Sequence, residues 1–340
     1  MTDVSTAPTM ALNEPQPEQA QGLPVRPARM PRRALHGVVL LDKPLGWSSN
    51  DALQKVKRLL RAEKAGHTGT LDPLATGLLP LCFGAGTKFS QVSLDADKRY
   101  TATLQLGQTT TTGDREGEVL DTLPVQATRA QIEAACAALT GEIDQVPPMY
   151  SALKHEGRAL YEYAREGIEI AREARRITIH GIDILDWQDE VLVLDVRCSK
   201  GTYIRTLAED IGRRLGCGAH LKALRRTACG QVTLDAAVTL EALQAMTESE
   251  RDALIQPVDV LVTHWPETCL SEEDAARFLT GLRRRTSLAD CQAMRVYGPN
   301  PTANRDRRPQ VFLGSAHVTG GELIPTRLLS PAEVQSQMLA

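Results

Sequence analysis

Two runs that read as strands, 176 to 187 (ITIHGIDILDW) and 191 to 198 (VLVLDVRCS), stand almost end to end in this chain. A break so short joins antiparallel neighbours, because a parallel pair needs a crossover of a dozen residues or more. Elsewhere, Lys98 to Leu106 alternates Tyr100, Ala102, Leu104 and Leu106 with polar residues, the period of a half-buried strand that turns Tyr100 inward. Gly37 onward (GVVLLDKP) reads as a buried strand closed by a proline, and Leu221 to Val232 as a further strand. Helices are expected over 158 to 166 and 203 to 215. Thr128 and Gln131 are spaced as a capping box for a helix through Ile132, Cys136 and Leu139. Ser48, Ser49 and Asn50 are N-cap candidates for a short helix burying Leu53, Val56, Leu59 and Leu60. Strands adjacent in sequence, mixed with helices, predict an α+β fold on a large mixed, mainly antiparallel sheet, not a doubly wound parallel one.

With 340 residues the chain exceeds one ordinary core, so a large domain and a smaller one are expected. Residues 1–35, rich in Pro, Ala, Gln and Thr and ending in RPARMPRR, read as a disordered leader. The large domain is expected over 36–250 and a small β domain over 251–335. The second would hold a helix from Ser271 to Gly281, short strands through QVFLGSAHVTGGELIPTRLL, and a mobile polar insertion at Gly298 to Arg308.

Several functions are disfavoured. No run of about 18 apolar residues is present to span a bilayer, and Met1 to Met30 lacks the apolar core of a secretory signal, so a cytoplasmic chain without membrane contact is expected. The seven cysteines are scattered and form no C-x-x-C pair, which points to free thiols and not to disulfides or zinc. A formal charge of −3 does not favour nucleic acid binding overall, but Lys55, Lys57, Arg58, Arg61 and Lys64 lie together and supply a local patch.

The stretch with most chemical content is Gly66 to Pro80, GHTGTLDPLATGLLP. Its glycines let backbone approach a ligand closely, and Pro73 pushes Asp72 toward an extended conformation, so one carboxylate is presented at a defined angle. A bare Asp-Pro would be only a turn starter. This longer stretch strongly resembles the catalytic loop of the TruB family of tRNA pseudouridine synthases. LDKPLGWSS at Leu41 to Ser49, KRYTATLQLG at Lys98 to Gly107, PPMYSALK at Pro147 to Lys154 and CSKGTYIRTLAEDIG at Cys198 to Gly212 occur in the family's order.

The resemblance implies a pseudouridine synthase fold followed by a PUA-like β domain that binds RNA. It implies isomerisation of uridine 55 in the T stem-loop of tRNA: the uridine is flipped out, its glycosidic bond is cleaved, and the base is rejoined through C5. It further implies a monomer with no obligatory protein partner and no cofactor or metal, in keeping with a sequence that has no Walker loop, G-x-G-x-x-G or clustered metal ligands. By the same resemblance Asp72 is the catalytic carboxylate and Arg205 lies against it. Tyr100 lies on the target ring, His67 fills the space the base leaves, and Tyr203 and Leu224 line the base pocket. Lys43 and Lys154 support the site or the RNA backbone. Two other roles stay open: a guide-RNA-dependent synthase of the box H/ACA kind, and an RNA chaperone that helps tRNA refold.

Overall fold

Ala75–Phe83 is apolar along most of its length and buried at all but one residue. Such a continuous run belongs to a strand covered on both faces. In a computed structural model, which describes residues 2, 31–301 and 309–339, it lies inside a ten-stranded sheet. The strands of the first part of the chain are β1 (Gly37–Lys43), β2 (Ala65–His67), β3 (Ala75–Phe83), β4 (Lys98–Leu106), β5 (Gln108–Thr110), β6 (Val119–Thr122) and β7 (Gly141–Gln145). There follow β8 (Lys154–His155), β9 (Arg158–Ala159), β10 (Arg175–Gln188), β11 (Val191–Cys198), β12 (Ala219–Cys229), β13 (Val232–Thr233) and β14 (Val238–Thr239). The large sheet runs β14-β1-β3-β12-β4-β11-β10-β7, with β2 added to β3 and β13 to β12. Its β1/β14 and β3/β12 pairs are parallel and its other pairs antiparallel. It is therefore a mixed, mainly antiparallel sheet, and the fold is α+β.

The local signals act as physical chemistry requires. β10 and β11 pair as neighbours, closed at Gln188↔Val191, with Asp189 in the left-handed region at φ 51° to make the tight turn. β4 buries Lys98, Tyr100, Ala102, Leu104 and Leu106 in strict alternation. Helix Ser49–Leu59 starts at Ser48, whose hydroxyl accepts the Asp51 amide, and helix Arg129–Ala137 carries the complete Thr128/Gln131 capping box. Helix Ile204–Leu215 lies so close to β12 that a Cβ on Gly212 would stand 2.2 Å from the Ala219 nitrogen. It stops at Gly216 in the left-handed conformation. The core beneath includes Leu41, Val56, Leu79, Leu104, Val196 and Leu207.

A second, five-stranded sheet follows: β15 (Glu267–Cys269), β16 (Arg284–Arg285), β17 (Cys291–Pro299), β18 (Gln310–Thr319) and β19 (Glu322–Leu328), ordered β15-β17-β18-β19-β16. Helix Glu272–Leu279, capped by Ser271, packs Phe278 into a core with Val296 and Phe312. Phe89 meets Phe312 at 5.3 Å between ring centroids, and Lys88 pairs with Glu333 at 2.6 Å, so the segment just after β3 packs against the second unit of sheet and helix. Of the expected leader, residues 1 and 3–30 lie outside the described residues, as do 302–308 of the expected insertion. Gly298 and Pro299 continue β17 against Val311 and Gln310. Arg33 bridges to Ala62 and pairs with Asp252 at 2.5 Å. Among the described residues no helix is long and apolar enough to cross a membrane.

Candidate active site

The loop between β2 and β3 carries Asp72 and is tied down on several sides. The Thr68 amide donates to the Pro80 carbonyl at 3.1 Å and the Ala75 amide to the Asp72 carbonyl at 3.0 Å. The loop between β1 and helix Ser49–Leu59 reaches over through the Gly46 amide, which donates to the Pro73 carbonyl at 2.8 Å. Ser49 at the helix start accepts the Leu71 amide at 2.7 Å and donates to the Leu71 carbonyl at 3.0 Å. Gly69, at φ 88°, makes the turn. The family-like LDKPLGWSS and GHTGTLDP stretches are thereby stitched together, and the Asp72 side chain keeps 44% of its surface open to solvent.

Arg205, in the first turn of helix Ile204–Leu215, is buried and meets that carboxylate at 3.0 Å between Nη2 and Oδ2. Its other N–H groups are held by carbonyls: Nη1 donates to Thr112 at 3.2 Å and Nη2 to Tyr150 at 2.6 Å. A second carboxylate, Asp114, lies 3.6 Å from Nε. Asp114 is itself buried, and accepts the Thr112 hydroxyl at 2.6 Å and the Glu116 amide at 3.0 Å. Nothing in the TTTTGD segment drew notice in the sequence, because the pairing spans about 90 residues of chain and no local period encodes it. Burial pushes the Asp72 carboxyl above its ordinary value; Arg205 opposes this, and Asp114 adds to it. The guanidinium does favour the charged acid, as expected for such a pair, but burial outweighs it.

The other expected residues distribute unevenly around this pair. Lys43, at the end of β1, is fully buried and donates to the carbonyls of Pro44 at 3.0 Å and Trp47 at 2.6 Å. Burial pushes its ammonium down to about 8, against the pull of Asp72. Tyr100 is buried on β4 opposite Arg226 of β12, and burial pushes its phenol up to about 12. His67 on β2 is half-buried and shifted down, chiefly by burial and then by the Arg226 charge. Tyr203 caps helix Ile204–Leu215, exchanging backbone hydrogen bonds with the Gln145 side chain, and burial pushes its phenol up. Leu224 pairs with Ala75 just beyond the loop. Lys154 is exposed on β8, and no contact among the described residues ties its side chain to the group around Asp72.

The sequence comparisons match this chain to a family model described as "TruB family pseudouridylate synthase (N terminal domain)" over residues 57–204, and to a "tRNA pseudouridylate synthase B C-terminal domain" over 205–263. A protein named "tRNA pseudouridine synthase B" from Cupriavidus pinatubonensis is 57% identical over 314 residues, covering 89% of this chain and 97% of the relative. One of the same name from Ralstonia nicotianae is 57% identical, covering 90% and 98%. Among solved structures, a chain of a crystallised Cbf5-Nop10-Gar1 complex superimposes with a TM-score of 0.65 at 25% identity, over 88% of this chain and 86% of that one. Fold and relatives together define a pseudouridine synthase, an isomerase. More particularly, the chain belongs to the TruB family of these enzymes.

Proposed function

We propose that the protein converts uridine 55 in the T loop of tRNA to pseudouridine, acting alone and in the cytoplasm. The reading rests on one observation above others: an aspartate half open to solvent, gripped at 3.0 Å by a buried arginine, on the loop that carries the family's stretch. An enzyme that detaches a uracil and rejoins it through C5 needs an ionised carboxylate beside the ribose. Asp72 serves as nucleophile toward C1′ or the base, or as base at C2′. A uridine folded into a T loop must leave its stack to reach that carboxylate, and the flipped ring stacks on Tyr100. His67 fills the space it vacates, and Tyr203 and Leu224 line the base pocket. Lys43 supports the loop from beneath, and Lys154 meets the RNA backbone. The domain over 251–335, built on the five-stranded sheet, is taken as PUA-like and as the second RNA contact.

The test is direct. Purified protein, without guide RNA or other protein, should release tritium from an unmodified tRNA transcript labelled at C5 of its uridines, with pseudouridine mapped to position 55. Asp72→Asn should bind the transcript as the wild type does and release tritium at least about 10⁴-fold more slowly. The likeness to the Cbf5-Nop10-Gar1 chain favours a second reading, guide-dependent modification; it stands at 25% identity against 57% for the relatives named above. Turnover that appears only when a guide RNA is added would establish that reading instead. Binding without turnover would leave the chaperone role.

A further inference from the structure

β7 ends the ten-stranded sheet at Gln145, opposite Arg175 of β10. Pro147 and Pro148 just beyond have no N–H with which to extend the ladder. The Gln145 side chain is buried, at 3% exposure. A buried amide costs stability unless both its ends are paired, and here both are. Its Oε1 accepts the Tyr203 amide at 2.8 Å and its Nε2 donates to the Tyr203 carbonyl at 3.1 Å. One side chain thus meets both backbone groups of one residue, as a neighbouring strand would.

Tyr203 is the N-cap of helix Ile204–Leu215 and supplies no side-chain cap of its own. In a capping box the N-cap amide is met by a side chain of the helix's own first turn; here the acceptor comes from 58 residues away. The segment after β7 grips the helix start a second time, since the Tyr150 carbonyl, just past the two prolines, accepts Arg205 Nη2 at 2.6 Å. The turn that leads into the helix is tied to β10 on its other side. There the Ser199 amide donates to the Thr178 carbonyl and the Thr178 amide to the Ser199 hydroxyl, both at 2.8 Å. Gly201, at φ 79°, makes the turn between these two anchors.

We propose that Gln145 is a positioning residue for the isomerisation: its amide sets the start of helix Ile204–Leu215, and through it the angle at which Arg205 meets Asp72 and Tyr203 faces the base. This rests on the functional reading above. Two hydrogen bonds to one residue fix both its place and its tilt. Arg205 follows within the first turn, where the amides have no intrahelical partner to hold them. Among the described residues the Gln145 side chain bonds to Tyr203 and not to Asp72 or Arg205, so it acts through the helix start. A displacement of about 1 Å in a group that orients a reacting carboxylate can cost about 10²-fold in rate, and the 3.0 Å contact of Arg205 with Asp72 depends on where that helix begins.

The experiment uses the full chain and an unmodified tRNA transcript at saturating concentration. Gln145→Met keeps the length of the side chain and removes both hydrogen bonds. It should slow single-turnover conversion about a hundredfold. Because Arg205 lowers the Asp72 pKa, a guanidinium displaced from that carboxylate should also move the acid limb of the pH–rate profile to higher pH, which loss of stability alone does not do. In an Arg205→Met background the same substitution should add little, since the two act as one unit. Gln145→Glu keeps an acceptor for the Tyr203 amide and loses only the donor to the carbonyl. It should lose about tenfold, the scale of one hydrogen bond, and it carries the same pH and background measurements if Gln145→Met does not fold. A near wild-type rate in Gln145→Met overturns the proposal, as does a slow variant whose acid limb stays in place or whose loss adds fully to that of Arg205→Met. A wild type that leaves T-loop uridine untouched overturns the functional reading instead, and this inference with it.

Discussion

Arg205 and Arg226 flank one loop, both are buried, and both donate to two backbone carbonyls, yet they face opposite chemistry. Arg205 stands between two carboxylates, Asp72 at 3.0 Å and Asp114 at 3.6 Å. Arg226 meets two backbone carbonyls and, among the described residues, no carboxylate. The difference teaches that one buried cation meets acids across long stretches of chain, while the other ties backbone together with its charge met by no carboxylate among the described residues. A guanidinium suits both tasks, since its rigid fork of donors spans several partners and keeps its charge at any working pH.

The comparison breaks most visibly at Arg205. Arg205→Met should lower kcat by about 10³-fold, the effect of losing a group that orients and stabilises charge in the transition state. It should also destabilise the chain by about 3–5 kcal/mol, because Asp114 is left buried without its cation. Denaturant titration and single-turnover assays check the two parts separately. If the variant keeps near wild-type turnover, the ion pair is structural and the distinction between the arginines collapses.

Asp114 sharpens the same contrast at smaller scale. Asp114→Asn preserves shape and the hydrogen bonds from Thr112 and Glu116 but removes one of the two charges that Arg205 meets. Turnover should fall about tenfold, and its effect should not add to that of Arg205→Met, because the residues touch. Additive losses in a double-substitution cycle would show that Asp114 acts elsewhere.

The acid limb of the pH–rate profile separates the arginines again. On the function proposed above Asp72 acts as an ionised carboxylate, so kcat/KM should fall as pH drops through its pKa, which burial holds above the ordinary carboxylate value. Asp114 raises that pKa and Arg205 lowers it. Asp114→Asn should therefore move the acid limb to lower pH, and Arg205→Met should move it to higher pH. Arg226 donates to backbone carbonyls and not to the Asp72 carboxylate, and Arg226→Lys, which keeps the charge, should leave the acid limb in place. Movement of the limb in the same direction for all three would refute the assignment to Asp72.

Legibility in sequence followed the range of the interaction. β4 could be read to its bounds because alternation is local, and so could the Ser48 cap and the Thr128/Gln131 box. Asp72 and Arg205 were legible only through stretches similar to a known family. Asp114 was not, since a run of threonines before Gly-Asp reads as an ordinary turn. Arg226 failed for a different reason: an arginine in LRRT reads as a solvent-facing strand residue, whereas the crossing of β3, β4 and β12 folds it inward. The order β3-β12-β4 places residues 75–83 beside 219–229 and 98–106, and no periodicity in the chain announces that neighbour relation. The short helices Leu240–Ala245 and Glu248–Ala253 were missed as well, being too brief to show a face.

The smallest expected effect concerns stability at Asp72 itself. A carboxyl with a raised pKa in the folded chain holds its proton more tightly there than when unfolded. Its contribution to stability is present in full below the unfolded value of 3.8 and is lost as pH rises through the folded one. At neutral pH the ionised side chain therefore opposes folding despite its arginine, but water reaches 44% of it and screens the effect, so Asp72→Asn should melt no more than about 1 °C above the wild type. Below pH 3.8 that advantage should vanish. Loss of Arg205 acts in the reverse sense at neutral pH, because it strands Asp114 without its cation. Should Asp72→Asn melt lower at pH 7 and regain parity in acid, the ion pair is worth more than the burial, and the site is held together by its charges instead of being held charged by the fold.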